Sequence, residues 1–305
     1  MSAISVPFVE QITLSVATTP PRPGKRPRAA TSREASIGTW RTGRRIGMGS
    51  YCDIWLAQPQ PAAGQFFDYV AKVAKPQYQG WGSLAQLMRQ EVQVTQSIRS
   101  PHVLPIIDAG DDADGHFLIL PRVEGLSLAQ RLREAGPLDC LDAIWIMRQV
   151  AQALVAVHQT GWLHADVKPA NILVSSTGHV TLIDFGFARP IQSQIRRDPP
   201  SLPRHGTLCY MAPECQVQGY PISAEADLYS LGVTLFELLT GHPLPNPHAN
   251  WNSWGDALPL ESASQIDSLL RKLLSNDPLR RPQSAGEVAS RLASIETQLL
   301  CIASA

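Results

Sequence analysis

HADVKPAN, residues 164–171, places an imidazole, a carboxylate, an ammonium and a carboxamide within eight positions, with one proline as its rigid element. The stretch runs straight into two strand-like segments, NILV (171–174) and VTLI (180–183), joined by the turn residues SSTGH (175–179). Apolar, β-branched runs flanking a Ser/Thr/Gly turn predict a β-hairpin. Pairing them about the midpoint between Thr177 and Gly178 puts Asn171 opposite Asp184, so that an amide oxygen and a carboxylate share one open end of the hairpin. Both are hard oxygen ligands, suited to a magnesium ion that keeps its other positions for water and phosphate oxygens. Asp166, five residues before Asn171, overhangs the same place. A carboxylate not bound to metal can accept a hydroxyl proton, and Lys168 can neutralise charge on a phosphoryl group in transit. An incidental polar loop accounts for any one of these residues but not for their combination.

The bulk properties fit a folded protein around such a site. The chain has 305 residues, 44% hydrophobic and 17% charged, enough to bury a large core. Lys+Arg and Asp+Glu each total 26, so the whole molecule offers no electrostatic reason to expect nucleic acid or a membrane surface as partner. The basic groups are concentrated at the start: residues 1–45 hold eight against two acidic residues. Five cysteines without a CxxC pair suit reduced thiols in a cytoplasm better than a disulfide frame or zinc site. No apolar stretch is expected to reach the roughly 20 residues of a membrane helix, and no secretory signal precedes the first base, Arg22.

Along the chain, TTPPRPGKRPRAATSREAS (18–36) has neither periodicity nor apolar surface, so residues 1–38 are expected to be a mostly disordered basic, Pro-rich tail. Such a tail can be a bare solvated segment, or a docking or self-modification segment using Thr31, Ser32 or Ser36. From Trp40 the signals are short strands, RRIGMGSYCDIWLAQ and FFDYVAKVAK, then a helix over GSLAQLMRQEVQVTQSIRS, then strands in HVLPIIDAG and HFLILP. After Gly125 the character becomes helical. LDAIWIMRQVAQALVAVHQTG and AEADLYSLGVTLFELLTG each end in a stop glycine, Gly161 and Gly241, and SASQIDSLLRKLLS predicts a further helix.

Two more features of the first half carry chemistry. Gly47 and Gly49 sit inside a strand pair, where they either make a turn or bulge or let backbone amides approach phosphates. Lys72 lies in an apolar strand, and Glu91 lies between Met88 and Val94 on the apolar side of its helix. Burying either charge alone is costly, and pairing them removes both penalties. Lys75 is the alternative lysine.

Taken in order, these motifs resemble the Hanks-type, eukaryotic-like protein kinases, a bacterial Ser/Thr member, from about Trp40 to about Leu292. The resemblance implies an α+β, two-lobed protein-kinase-like fold: a small antiparallel β-sheet N-lobe with one helix (39–121), a larger mainly α-helical C-lobe (122–298), and a C-terminal tail (299–305). It implies ATP as cofactor with Mg2+, or Mn2+ in its place, and protein substrates bearing Ser or Thr. The glycine-rich loop looks like Gly47 to Ile54, with Ile46, Gly47, Gly49, Ser50 and Ile54 at the nucleotide. Lys72 and Glu91 are similar to the phosphate clamp. LILPRVEG resembles the segment joining the lobes, with Leu120 as gatekeeper and Pro121 and Val123 meeting adenine. The catalytic residues are then Asp166, Lys168 and Asn171, and the metal ligands Asn171 and Asp184. His164, Gly186, Thr207, Glu214, Asp227 and Arg281 are support: Asp227 bracing the catalytic-loop backbone and Arg281 partnering Glu214. Trp251 and Trp254 are either packing or substrate docking. A pseudokinase, binding nucleotide as a scaffold without turnover, is the alternative, with a small-molecule kinase behind it. The tail is a candidate site for a regulatory protein.

Two positions depart from the family pattern. Cys52 replaces the third loop glycine, as a small buried residue or as an exposed, oxidation-sensitive thiol. Ala165 replaces the arginine before Asp166 that in the family pairs with a phosphate on the activation segment. Activity is therefore expected not to depend on phosphorylation between Phe187 and His205.

Overall fold

The computed structural model describes residues 35–60, 67–78, 82–112, 115–192, 208–217, 219–244 and 263–303. Its contacts divide the chain into two units. One takes Met1–Val92, Pro105–Glu124 and Ser176–Gly178, the other Gln93–Leu104, Gly125–Ser175 and His179–Ala305.

The first unit is an antiparallel sheet of six strands: β1 (Ala35–Ile37), β2 (Trp40–Met48), β3 (Cys52–Pro59), β4 (Tyr69–Ala74), β5 (Asp108–Asp112) and β6 (Gly115–Pro121). Their order is β1-β2-β3-β4-β6-β5. The sheet curls enough for Trp40 of β2 to donate from Nε1 to Asp108 Oδ2 of β5 at 2.7 Å. Period-2 alternation sends Ile37, Trp40, Ala57, Ala71, Phe117 and Ile119 to one core cluster, with Trp55, Tyr69 and Val73 packed on it. Gly110 is required here, because a Cβ at that position would stand 2.6 Å from the Phe117 ring. β1 corrects part of the sequence reading. Residues 35–37, counted there with the tail, pair with β2 through the turn at Gly38 and Thr39, where Gly38 has φ 52°. Residues 1–34 lie outside the described residues.

One helix, α1 (Gly82–Ser97), follows β4. Its apolar positions Leu84, Met88 and Val94 are buried as their spacing requires. Residues 93–104, its last turn and the loop beyond, belong with the second unit. There Val103 makes a parallel bridge to Leu182, and Leu182 donates its N–H to the His102 carbonyl at 2.8 Å.

The second unit is mainly helical: α2 (Leu128–Ala135), α3 (Cys140–Gln159), α4 (Glu225–Thr240), α5 (Ala263–Leu273) and α6 (Ala285–Ala303). α2 starts with a capping box between Ser127 and Gln130. α3 starts with the Asp139 carboxylate accepting from Asp142 N. Both stop glycines work as expected, Gly161 with φ 80° and Gly241 with φ 74°. α4 buries 13 of its 16 residues and is a core helix on every face. α3 is long and apolar enough by composition to cross a membrane, contrary to expectation. More than half of it is buried inside the fold, as in the core helix of a globular protein. Residues 299–303, read from sequence as a tail, form the last turn of α6, with Leu300 and Ile302 exposed.

Short strands complete this unit. β7 (Gly125–Ser127), β9 (Ile172–Ser175) and β10 (Val180–Leu182) form a three-stranded sheet, and β8 (Trp162–Leu163) pairs with β11 (Arg189–Pro190). The β9–β10 register differs by one residue from the sequence reading: Val180 pairs with Val174, Thr181 with Leu173 and Leu182 with Ile172. The hairpin is centred on Thr177 itself, because its loop has an odd number of residues. Ser175 N–H donates to the His179 carbonyl at 3.0 Å across a three-residue connection ending in Gly178 at φ 79°. Ile183, not Asp184, faces Asn171, donating its N–H to the Asn171 carbonyl at 3.0 Å.

Candidate active site

In the second unit, the chain from Leu163 to Ile172 is pinned at three levels. The deepest is Asp227, 1% exposed on α4. Its Oδ2 accepts from His164 N at 2.8 Å and its Oδ1 from Ala165 N at 2.8 Å. Behind it, His158 of α3 bonds through Nε2 to Asp227 Oδ2 at 2.9 Å. Burial pushes the Asp227 carboxyl upward, but the bond from the His158 ring, with that from the His164 backbone, outweighs it and holds the group below its ordinary 3.8. A depressed carboxylate stabilises the fold above its unfolded pKa, and that contribution is lost as pH falls through the folded value. The stability gap between the native chain and Asp227→Asn is therefore expected to be widest at neutral pH and to close below 3.8. Urea unfolding at a series of pH values checks it, and a gap independent of pH refutes it.

Ala165 is held by these bonds with φ 61°, a left-handed backbone that a residue with a Cβ rarely adopts. The next level is His164. Its ring bonds through Nε2 to the Ile183 carbonyl at 3.1 Å, while Nδ1 accepts from Asp166 N at 3.2 Å. One neutral tautomer satisfies both contacts, so this imidazole ties the approach to Asp184 to the backbone of Asp166. Phe185, 1% exposed, packs edge-on against the His164 ring at 4.7 Å between centroids.

The third level is the chemistry itself. Lys168 Nζ donates to Asp166 Oδ2 at 2.7 Å, and Asn171 Nδ2 donates to the same oxygen at 2.8 Å. The second hydrogen of the Asn171 amide goes to the Asp166 carbonyl at 2.9 Å. Both donors converge on Oδ2, so among the described residues Oδ1 is the Asp166 oxygen that neither of them takes. Both amide hydrogens are spent, so Asn171 can offer a cation its carbonyl oxygen only. Asp184, next after Ile183, has φ 67°, and its Oδ1 accepts from Gly186 N at 3.4 Å. Among the described residues no three His, Cys, Asp or Glu side chains gather into a metal cage. One amide oxygen and one carboxylate are nevertheless the kind of partial donor set magnesium takes when phosphate and water complete its octahedron.

The segment carrying Ala212–Glu214 is anchored on α4: Tyr210 OH donates to Glu237, and Ser230 Oγ donates to the Tyr210 carbonyl at 2.8 Å. Burial first, then the bond to Glu237, hold the Tyr210 phenol well above its usual range, so it stays a donor. Glu214 and Arg281 form the expected pair, bidentate at 2.6 and 2.8 Å.

In the first unit, Lys72 Nζ donates to Glu91 Oε2 at 2.8 Å, with the lysine side chain 16% and the glutamate 3% exposed. Lys72 and not Lys75 makes this pair. Gly49 N–H donates to the Cys52 carbonyl at 2.8 Å, closing the turn. A Cβ at Gly49 would lie 2.9 Å from that oxygen, and Gly47 follows a register shift in β2–β3. The turn accounts for glycine at 49, and at 47 a Cβ would stand 3.3 Å from the Ile54 side chain. Ile46 and Ser50 are exposed, Ile54 half-buried, and Cys52 buried at 6% exposure, which fits the small buried residue and not the exposed thiol. Leu120 is buried, and Pro121 and Val123 are half-buried beyond it. Thr207, Trp251, Trp254, Ser193 and Ser201 lie outside the described residues.

His158 belongs to no motif in the sequence. The available signal was that a histidine on a buried stripe needs a buried partner.

Residues 40–291 match the family described as protein kinase domain. The chain is 30% identical over 278 residues to the serine/threonine-protein kinase pkn2 of Myxococcus xanthus, covering 86% of this chain and 33% of that protein. It is 27% identical to PrkC of Bacillus subtilis, covering 82% of this chain and 39% of that one. It is 30% identical to PknD of Mycobacterium tuberculosis, covering 84% and 39%. The chain thus spans between a third and two fifths of the length of these relatives. With a family match over most of its length and the ordered motifs in place, the chain belongs to the protein kinase family, among its bacterial Hanks-type members.

Proposed function

We propose that the chain is a Ser/Thr protein kinase that transfers the γ-phosphoryl group of Mg-ATP to Ser or Thr hydroxyls of protein substrates. The observation that carries the reading is the convergence of Lys168 and Asn171 on one oxygen of Asp166, with the other left for a hydroxyl proton. Asp166 orients the attacking hydroxyl and takes its proton, and Lys168 offsets the negative charge that spreads over the transferring group. Asn171 and Asp184 would hold magnesium, whose positive charge would offset that of the nucleotide phosphates. Lys72, fixed by Glu91, is assigned to the nucleotide phosphates, and Leu120, Pro121 and Val123 to the adenine. DVKPAN (166–171), with its lysine two residues after Asp166, and Thr207 resemble the family's Ser/Thr-directed pattern rather than its tyrosine-directed one. The relatives' names, all serine/threonine-protein kinases, support the same assignment. Five cysteines that form no disulfide suit a cytoplasmic location.

The experiment is to incubate the purified chain with labelled ATP, magnesium and a generic basic protein and to identify the labelled amino acids. Phosphoserine or phosphothreonine supports the proposal; nucleotide binding without transfer would leave a scaffold.

Ala165 bears on control. The loop is braced by Asp227 and His158 without an arginine at this position. Replacing Ser193 and Ser201 together by alanine is expected to leave most of the turnover, and a large loss would show that a phosphate there is read by other groups.

A further inference from the structure

We propose that Ser36 is a phosphorylation site of this chain, its phosphate held by Arg41 and Gln60; the inference rests on the kinase reading above. Ser36 is the middle residue of β1, the three-residue strand at one edge of the six-stranded sheet. Its neighbour Ile37 is buried at 3% exposure, so alternation turns Ser36 outward, where it is exposed. The Ser36 hydroxyl oxygen already accepts a hydrogen bond from Gln60 Nε2 at 2.8 Å. The register sets Ser36 directly across from Arg41, whose guanidinium lies over the Phe67 ring, 5.8 Å from its centroid. Side chains directly opposite in an antiparallel pair share a face, with Cβ atoms about 5 Å apart. A phosphoserine carries a charge of about −1.5 to −2 near neutral pH, and the planar arginine fork matches its oxygens.

The chemistry balances within the kinase reading. The Ser36 oxygen attacks the γ-phosphorus of ATP, forming a new O–P bond as the bond to the β–γ bridging oxygen breaks. The hydroxyl proton passes to Asp166 and ADP leaves. β1 can part from β2 to present Ser36, an opening that separates three residue pairs at the sheet edge. Edge segments of this size open at low free-energy cost. Once attached, the phosphate ties β1 to β2 through Arg41, while the Gln60 amide turns from the ester oxygen to a phosphoryl oxygen. Phosphorylation thus locks the strand that begins the described fold.

The test maps phosphate by mass spectrometry on the full chain after incubation with Mg-ATP, with a basic protein phosphorylated in parallel. Phosphate is expected on Ser36 and not in Ser36→Ala, which keeps its transfer to the basic protein. The phosphorylated chain is expected to melt higher than its phosphatase-treated form. That difference should vanish in Ser36→Ala and in Arg41→Gln, although Arg41→Gln still accepts phosphate. Labelled basic protein with unmodified Ser36 overturns this inference and leaves the kinase reading intact. No transfer to either overturns both. Phosphate on Ser36 without a change in melting refutes the holding role of Arg41.

Discussion

Asp166→Asn is expected to lower kcat by about 10²–10⁴-fold, the range a positioned general base contributes, while nucleotide affinity and melting temperature stay close to native. The side chain is 4% exposed by residue and sits between Lys168 and Asn171, so a carboxamide of the same size fits the space. It cannot accept a proton at any accessible pH, and it leaves the Lys168 ammonium, 2.7 Å away, without its counter-charge. The second effect reorients Lys168 as well as removing the acceptor, so both parts of the proposed chemistry fail together. Single-turnover transfer and nucleotide titration on the same preparation separate chemistry from binding. Turnover within a few-fold of native would remove Asp166 from the reaction and with it the assignment of roles in this loop.

The parts of the molecule that were legible in the sequence are those decided by local pattern or by the cost of burying charge. Lys72 and Glu91 are 19 positions apart, yet each is recognisable as a charge on an apolar face that needs an opposite charge to answer it. The helix stops at Gly161 and Gly241 follow from backbone freedom at left-handed φ. The β9–β10 register was lost because an odd loop and an even loop look alike in SSTGH, and a one-residue slip leaves the apolar run plausible in either phase. β1 was lost because ASI, following a polar and Pro-rich run, has no periodicity of its own and gains its place only by pairing with β2. The contact of His158 with Asp227 spans 69 positions and joins two buried helices, so nothing within either helix announces it. At the site, residue types were legible, but the fact that Lys168 and Asn171 meet on one oxygen of Asp166 depends on rotamers that no spacing rule gives.

Replacing Arg281 by methionine is expected to destabilise the chain by about 3–5 kcal/mol, the cost typical of stranding one member of a buried ion pair. The arginine side chain is 0% and that of Glu214 6% exposed, so water cannot replace the lost partner. Four contacts go at once. The two bonds to the Glu214 carboxylate are joined by donation to the Glu225 carbonyl at 2.9 Å and to the Ser275 carbonyl at 2.8 Å. The guanidinium also stands 4.9 Å from the centre of the Tyr229 ring. Measured against a total stability of about 5–15 kcal/mol, the loss consumes much of what holds a domain folded. The sharper observation is the double variant. Glu214→Leu with Arg281→Met leaves no buried charge behind, so it should be more stable than Arg281→Met alone, despite removing one more native group. Urea unfolding of the native chain, the two single variants and the double variant closes the cycle. If Arg281→Met costs under about 1 kcal/mol, the pair behaves as an exposed one would, and the tie between Glu214, the start of α4 and the residues before α6 is not what secures this part of the fold.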